Sequence, residues 1–142
     1  MSEHNKDIVR RFLEEAWNKG NVGAMDELFI RDVVVHGFPL QTPGLEGFKE
    51  GARMYKVAFP DGHAVIEDVL AEGDKVVTRW TYTGTHKGEM MGIPPTGKRV
   101  TFTGIIIDRI AGGKIAEHWV EFDMLGVLQQ LGVVPQPGQS GR

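Results

Sequence analysis

Residues 100–123 read VTFTGIIIDRIAGGKIAEHWVEFD, and their pattern is the strongest indication of the fold class. Alternating, β-branched residues lie on both sides of Gly112-Gly113, a pattern typical of two antiparallel strands joined by a tight turn. An earlier stretch repeats the pattern, because His63–Glu72 and Lys75–Thr85 flank Gly73-Asp74. The second half of the chain is therefore predicted to form two β-hairpins.

Amphipathic helices precede and follow these hairpins. Apolar residues recur there at spacings of three and four, which predicts helices. The predicted segments are helices at Ile8–Trp17, Met25–Phe29, Leu45–Phe59 and Met124–Leu131, with a short strand at Val33–Val35. Helices followed by strands favour an α+β fold, with the helices packed on one face of an antiparallel sheet. Residues 1–134 are expected to form one domain and residues 135–142 a flexible tail.

The composition restricts the classes of partner. The 142 residues carry a formal net charge of −3 and no basic cluster, which argues against nucleic acid. No apolar run approaches the roughly 20 residues that a membrane span needs, so no membrane partner is expected. Cysteine is absent, which excludes disulfides and thiolate chemistry and fits a cytoplasmic location.

The last hairpin predicts which side chains share a face of the sheet. If Ile110 pairs with Ile115 across the turn, every later pairing follows, because side chains alternate between the two faces. One face would hold Phe102, Ile106, Trp119 and carboxylates that include Asp108, Glu117 and Asp123. The opposite face, with His118, is also substantially apolar. Since the helices can cover only one face, we expect a homodimer through the other.

Asp123 is the leading catalytic candidate. In the predicted register it ends the last strand beside Trp119 and Phe102, and aromatic walls raise the pKa of a carboxyl group by removing its hydration. Such a group can transfer protons to and from carbonyl compounds. The alternative is that Asp123 caps the final helix, where Asp is favoured. Glu117 is a further candidate, either catalytic or paired with a basic neighbour.

Two histidines and one methionine complete the candidate site. His36 closes a short strand and His86 lies at a strand end, and either can hold a substrate oxygen or act as a base near neutral pH. The other histidines, His118 among them, are assigned surface or capping roles. No histidine pair has metal-ligand spacing, so no metal is expected, and the absence of glycine-rich phosphate motifs disfavours nucleotide cofactors. Met91 belongs to an apolar loop that is expected to cover a pocket.

Three motifs carry a resemblance to a known family. They are NKGN at 18–21, GIPPTGK at 92–98, and GKIAEHW at 113–119 followed by Asp123. From about Ile8 to Gly132 the chain resembles the SnoaL-like polyketide cyclases, also called ester cyclases. The resemblance implies a cone-shaped α+β fold of the nuclear-transport-factor type, a homodimer, and a deep pocket between a curved antiparallel sheet and the helices.

The resemblance also implies an activity, namely intramolecular aldol condensation of a polyketide ester without metal or cofactor. It implies an essential aspartate late in the last strand, which Asp123 matches, and a histidine on the preceding strand. That strand reads IIIDR at 105–109 and has no histidine, so His36 and His86 are the candidates to replace it.

The leading hypothesis is a cofactor-independent cyclase in which Asp123 is the general acid and base, assisted by His36 and His86. The expected substrate is a small, apolar, oxygenated ring precursor. Its expected binding residues are Trp80, Phe102, Ile106, Glu117, Trp119 and Met91. Two alternatives stay open: an isomerase or epoxide hydrolase of the same fold, and a dimeric protein that binds a small molecule without catalysis.

Overall fold

Helices pack on a five-stranded sheet in the computed structural model, which describes residues 2–135. The helices are α1 (Ser2–Phe12), which continues into a π-helical turn (Leu13–Asn18), then α2 (Met25–Leu28) after a 3₁₀ turn (Val22–Ala24), α3 (Gly44–Ala58) and α4 (Met124–Leu131). The strands are β1 (Phe29–His36), β2 (His63–Glu72), β3 (Lys75–Thr85), β4 (Arg99–Ala111) and β5 (Lys114–Phe122). The predicted α+β class is confirmed.

The sheet has the strand order β1-β5-β4-β3-β2, and its neighbours are antiparallel except for β1 with β5. Both predicted hairpins are present, as β2–β3 and β4–β5. β1 begins at Phe29, which the helical pattern had assigned to α2. Phe29 is fully buried and packs edge-on against Phe12 with 4.8 Å between ring centroids, so tertiary packing outweighs local propensity there.

The predicted register of β4 and β5 is right at the turn and wrong beyond it. Ile110 lies opposite Ile115 as predicted, but Arg109 lies opposite Glu117, which leaves Ala116 as an extra residue on β5. Such a β-bulge shifts the pairing by one residue. Every β5 residue after the bulge therefore lies on the face opposite to the predicted one.

The inner face of the sheet packs against the helices, as predicted. Phe102 and Ile106 of β4 point inwards and are buried in one core with Phe12 of α1 and Phe48 of α3. The outer face exposes apolar side chains to solvent, and Ile105 is 46% exposed there. The helices thus leave room for a cavity on the inner face and an uncovered apolar surface on the outer one.

The ends of the chain add two further observations. No helix within residues 2–135 is long and apolar enough to cross a membrane. The tail expected at 135–142 lies, apart from Pro135, outside the described residues. The domain boundary at residue 134 stays a prediction.

Gly104 leaves room for the indole of Trp80 on the inner face of the sheet. A Cβ added at Gly104 would lie 2.3 Å from Cζ2 of Trp80, far inside contact distance. We expect Gly104→Ala to lower the free energy of unfolding by about 1–3 kcal/mol, because a packed core resists an added methyl group. Urea denaturation followed by circular dichroism measures this change.

Gly23→Ala is the matched control for that variant. A Cβ at Gly23 would approach only Oδ1 of Asn21, at an ordinary 3.6 Å. Its free energy of unfolding should stay within about 0.5 kcal/mol of the wild type. Equal stability of Gly104→Ala and the wild type would show that Trp80 can move aside, and would contradict the packing argument.

Candidate active site

An apolar cavity lies between the inner face of the sheet and the helices. Its volume, as the space that the centre of a water molecule can reach, is about 50 Å³. Its walls are Phe12, Leu13, Trp17, Phe38, Phe48, Tyr55, Ala64, Trp80, Phe102, Ile106, His118, Val120 and Phe122. His118 is the one basic side chain in this lining, so the cavity is an apolar enclosure around a single imidazole.

The π-helical turn after α1 supplies one wall of this cavity. In this turn the backbone N–H of Lys19 donates to the carbonyl of Glu14, five residues back instead of four. A π turn holds one extra residue and often occurs at functional sites. It carries Leu13 and Trp17 to the cavity, where Trp17 packs edge-on against Tyr55 with 5.5 Å between centroids.

A buried hydrogen bond joins His118 to Asp108 at the cavity wall. Asp108 on β4 is fully buried and His118 on β5 is 3% exposed, and the bulge places them opposite each other on the inner face. Oδ1 of Asp108 lies 2.6 Å from Nδ1 of His118. An ionised carboxylate only accepts hydrogen bonds, so the tautomer of His118 that matches an ionised Asp108 carries its proton on Nδ1 and leaves Nε2 as the ring nitrogen able to act as a base.

The surroundings of this pair are apolar. Phe12 meets the imidazole edge-on with 6.0 Å between centroids, and Phe48 lies 5.0 Å from it. Oδ2 of Asp108 and the hydroxyl of Thr78 on neighbouring β3 are buried without a partner in the described part of the chain. In such surroundings the hydrogen bond that orients the imidazole is stronger than it is in water. The pair is therefore suited to take up a proton at Nε2 and to return it.

A second cavity, which we call the vestibule, adjoins the first and has a volume of about 330 Å³. Phe38, Tyr55, Val120 and Phe122 line both cavities and so lie between them, at a position that we call the constriction. The vestibule also contains the methionines Met54, Met90, Met91 and Met124. Methionine side chains are flexible and polarizable, which suits them to apolar ligands of varied shape.

Four of the predicted ligand-binding residues lie at these two cavities. Trp80, Phe102 and Ile106 line the inner cavity, and Met91 lines the vestibule from the loop between β3 and β4. The rings of Trp80 and Phe102 meet edge-on with 5.8 Å between centroids, so together they form one aromatic wall. This placement supports the predicted role of these residues in ligand binding, which stays a prediction.

Asp123 is exposed and lines neither cavity, so the prediction that it is desolvated among aromatic rings is wrong. It is the N-cap of α4, and its Oδ1 accepts a hydrogen bond of 2.9 Å from the N–H of Gly126. The strand ends one residue earlier, at Phe122, which puts Asp123 at the start of the helix. The capping alternative is confirmed.

His36, Glu117 and Trp119 lie together on the outer face of the sheet, whereas the predicted register placed Glu117 and Trp119 at the pocket. Nε2 of His36 lies 2.7 Å from Oε2 of Glu117, and the His36 ring stacks on Trp119 with 5.2 Å between centroids. Hydrogen bonds from His36 and then from Arg109 hold the pKa of Glu117 below its usual range. The bulge explains the error, because it exchanges the faces of Glu117 and His118.

His86 is fully buried beneath the loop between β3 and β4 and lines neither cavity. Its Nδ1 accepts a hydrogen bond of 3.2 Å from the N–H of Thr96, and its carbonyl accepts one of 2.8 Å from the N–H of Gly97. These bonds attach the GIPPTGK segment to the end of β3. The candidate role of His86 as a base in the pocket is therefore replaced by a structural one.

The pair Asp108 and His118 is not predicted from the sequence. The inward direction of Asp108 does have a signal in the sequence. It lies an even number of residues from Phe102 and Ile106 on the same strand, and so shares their face. No comparable signal exists for His118, since apolar periodicity does not reveal the extra residue at Ala116. The surface role assigned to His118 is wrong for that reason.

Comparisons with known proteins agree with this architecture. A family model described as SnoaL-like polyketide cyclase matches residues 7–131. The aklanonic acid methyl ester cyclase DauD of Streptomyces sp. (strain C5) is 33% identical over 140 residues, covering 95% of this chain and 85% of that protein. The nogalonic acid methyl ester cyclase of Streptomyces nogalater is 30% identical over 135 residues, covering 89% of this chain and 96% of that protein.

A solved structure shows the same fold. TsrD from Streptomyces laurentii has a TM-score of 0.87 and 30% sequence identity, covering 94% of this chain and 98% of that chain. The family match extends from α1 to the end of α4, and thus over the helices and strands that form both cavities. The chain therefore belongs to the SnoaL-like polyketide cyclases and is an enzyme of the polyketide cyclase type.

Proposed function

We propose that this protein closes a ring in a polyketide ester by intramolecular aldol addition, with His118 as the general base and Asp108 as its positioning partner. The observation that carries the proposal is the hydrogen bond of 2.6 Å that holds a nearly buried imidazole at the wall of an apolar cavity. A histidine in such a place can transfer a proton to or from carbon acids near neutral pH.

The reaction conserves all its atoms. Nε2 of His118 removes a proton from a carbon between two carbonyl groups, and the resulting enolate carbon attacks a ketone carbon of the same molecule. A carbon–carbon bond forms, and the new alkoxide takes the proton back from His118. Because the product is an isomer of the substrate and no electrons are exchanged with another molecule, this chemistry requires no redox cofactor.

The pair also explains the departure from the family pattern in β4. The resemblance implied an aspartate late in the last strand and a histidine on the strand before it. Here the residue types are exchanged, since β4 supplies Asp108 and β5 supplies His118. The same two functional groups would thus meet across the same strand pair, which favours a cyclase mechanism without Asp123, His36 or His86.

The ligand class follows from the walls and from the relatives. Trp80, Phe102 and Ile106 offer flat apolar surfaces that suit fused rings. The inner cavity of about 50 Å³ is too small for several rings, so the substrate would extend past the constriction towards Met91 in the vestibule of about 330 Å³. Two relatives are named as cyclases of aklanonic acid methyl ester, and we propose an ester of this kind as substrate.

Replacing His118 tests the proposal directly. We expect His118→Gln to lower kcat for aklanonic acid methyl ester by about 10²–10⁴-fold, because the base is lost. Asp108→Asn should also lower kcat, by at least about tenfold, since the imidazolium loses its carboxylate partner. Chromatographic measurement of ring closure gives the rates, and circular dichroism checks that each variant is folded.

Asp123→Asn is the matched control, because Asn caps a helix as well as Asp does. It removes the other candidate carboxylate and should leave kcat within about twofold of the wild type, since Asp123 lies at the surface. Loss of activity in Asp123→Asn with normal activity in His118→Gln would reverse the assignment and overturn the proposal.

We also propose that a second copy of the chain covers the outer face of the sheet. Apolar side chains are exposed on three strands of this face, with Val34 at 50%, Val65 at 49% and Ile105 at 46%. Their burial in a dimer would remove apolar area from water, which stabilises the dimer by about 25 cal/mol per Å².

The cytoplasmic location expected from the sequence stays a prediction.

The dimer is tested by placing a charge at the centre of the outer face. We expect the wild type to have twice the chain mass in light scattering at about 20 µM, and Ile105→Glu to be monomeric or to dissociate at least about tenfold more readily. Val57→Glu on α3, where Val57 is 64% exposed, should keep the wild-type mass. A monomeric wild type would contradict the proposal.

A further inference from the structure

Tyr55 stands at the constriction between the inner cavity and the vestibule and lines both. Its ring packs edge-on against Trp17 with 5.5 Å between centroids and lies 5.6 Å from Phe38. These neighbours hold the phenol in place on α3. A ligand that extends from His118 into the vestibule must therefore pass this ring.

The hydroxyl of Tyr55 is a neutral hydrogen-bond donor. Burial raises the pKa of Tyr55 to about 12, and no charge or hydrogen bond contributes to this shift. The phenol thus keeps its proton at neutral pH, and the O–H is not engaged by an ionised neighbour. Tyr82 provides a contrast, because its hydroxyl is sealed from solvent without a partner and it lines neither cavity.

The charged side chains at the wall of the vestibule have one sign. Glu89 and Glu121 are exposed at the wall of the vestibule, and within residues 2–135 no lysine or arginine lines either cavity. An entering carboxylate would meet repulsion and no counter-ion. A neutral carbonyl group would meet no such repulsion and would find a donor at Tyr55.

We propose that Tyr55 donates a hydrogen bond to a neutral carbonyl oxygen of the ligand at the constriction, and that Glu89 and Glu121 disfavour a carboxylate there. The protein would thereby select an ester over the corresponding free acid. This inference rests on the proposed function, because it assigns ligand recognition to the same pair of cavities. Tyr55 is a binding residue in this scheme and takes no part in the proton transfer at His118.

Equilibrium dialysis with three naphthalene probes of similar size tests the inference without turnover. The probes are methyl 2-naphthoate, the 2-naphthoate anion and 2-propylnaphthalene. We expect the wild type to bind the ester more tightly than the anion or the hydrocarbon. Tyr55→Phe should weaken binding of the ester by about 3- to 10-fold, the effect of one lost hydrogen bond, and leave the hydrocarbon within about twofold.

Two further variants separate the hydrogen bond from packing and from charge. Tyr82→Phe removes a tyrosine hydroxyl outside the cavities and should leave the affinity for all three probes unchanged. The double variant Glu89→Gln, Glu121→Gln should strengthen binding of 2-naphthoate by about twofold or more at low salt and leave the ester unchanged.

Several outcomes would overturn the inference. They are unchanged ester binding in Tyr55→Phe, an equal loss for ester and hydrocarbon in that variant, and 2-naphthoate binding as tight as that of the ester in the wild type. His118→Gln should retain the preference for the ester. Failure of the binding test would leave the role of His118 intact, and normal turnover in His118→Gln would leave the role of Tyr55 intact.

Discussion

The hydrogen bond between Asp108 and His118 governs the arrangement of the last hairpin and of the cavity beside it. Burying a carboxylate without a partner costs several kcal/mol, so the imidazole is what allows Asp108 to lie inside the core. The bond requires β5 to carry one extra residue, Ala116, so that His118 turns inwards and Glu117 outwards. A local irregularity in one hairpin therefore determines both the site on the inner face and the cluster of charged and aromatic residues on the outer one.

The two layers of the fold contribute different parts of this site. The sheet supplies the proposed acid–base pair, and the helices supply the rings of Phe12 and Phe48 that pack against His118. Because these rings cover the imidazole, which is only 3% exposed, an enolate formed beside it would be shielded from protonation by bulk solvent. The docking of α1 and α3 on the sheet would thus serve the proposed chemistry as well as stability.

Most of the fold could be predicted because apolar residues recur every three or four positions in the helices and every second position in the strands. The predicted ranges of the first hairpin, His63–Glu72 and Lys75–Thr85, coincide with β2 and β3. The faces of β5 could not be predicted, because a bulge depends on packing across the sheet and Ala116 carries no local sign of it. The role of Asp123 could not be predicted either. The sequence around it fits both a helix cap and a desolvated carboxylate, and only the faces of β5 distinguish the two.

The π-helical turn at Leu13–Asn18 gives the cavity a means of variation that is independent of the sheet. One residue more or fewer in a helix rotates everything beyond it by about 100°. Leu13 and Trp17 both belong to this turn and both line the cavity. Deletion of one residue here would therefore reorient one wall of the cavity and leave Asp108 and His118 in place. A change of one residue in this turn would thus alter the shape of the cavity while the strand pair that carries Asp108 and His118 stays as it is.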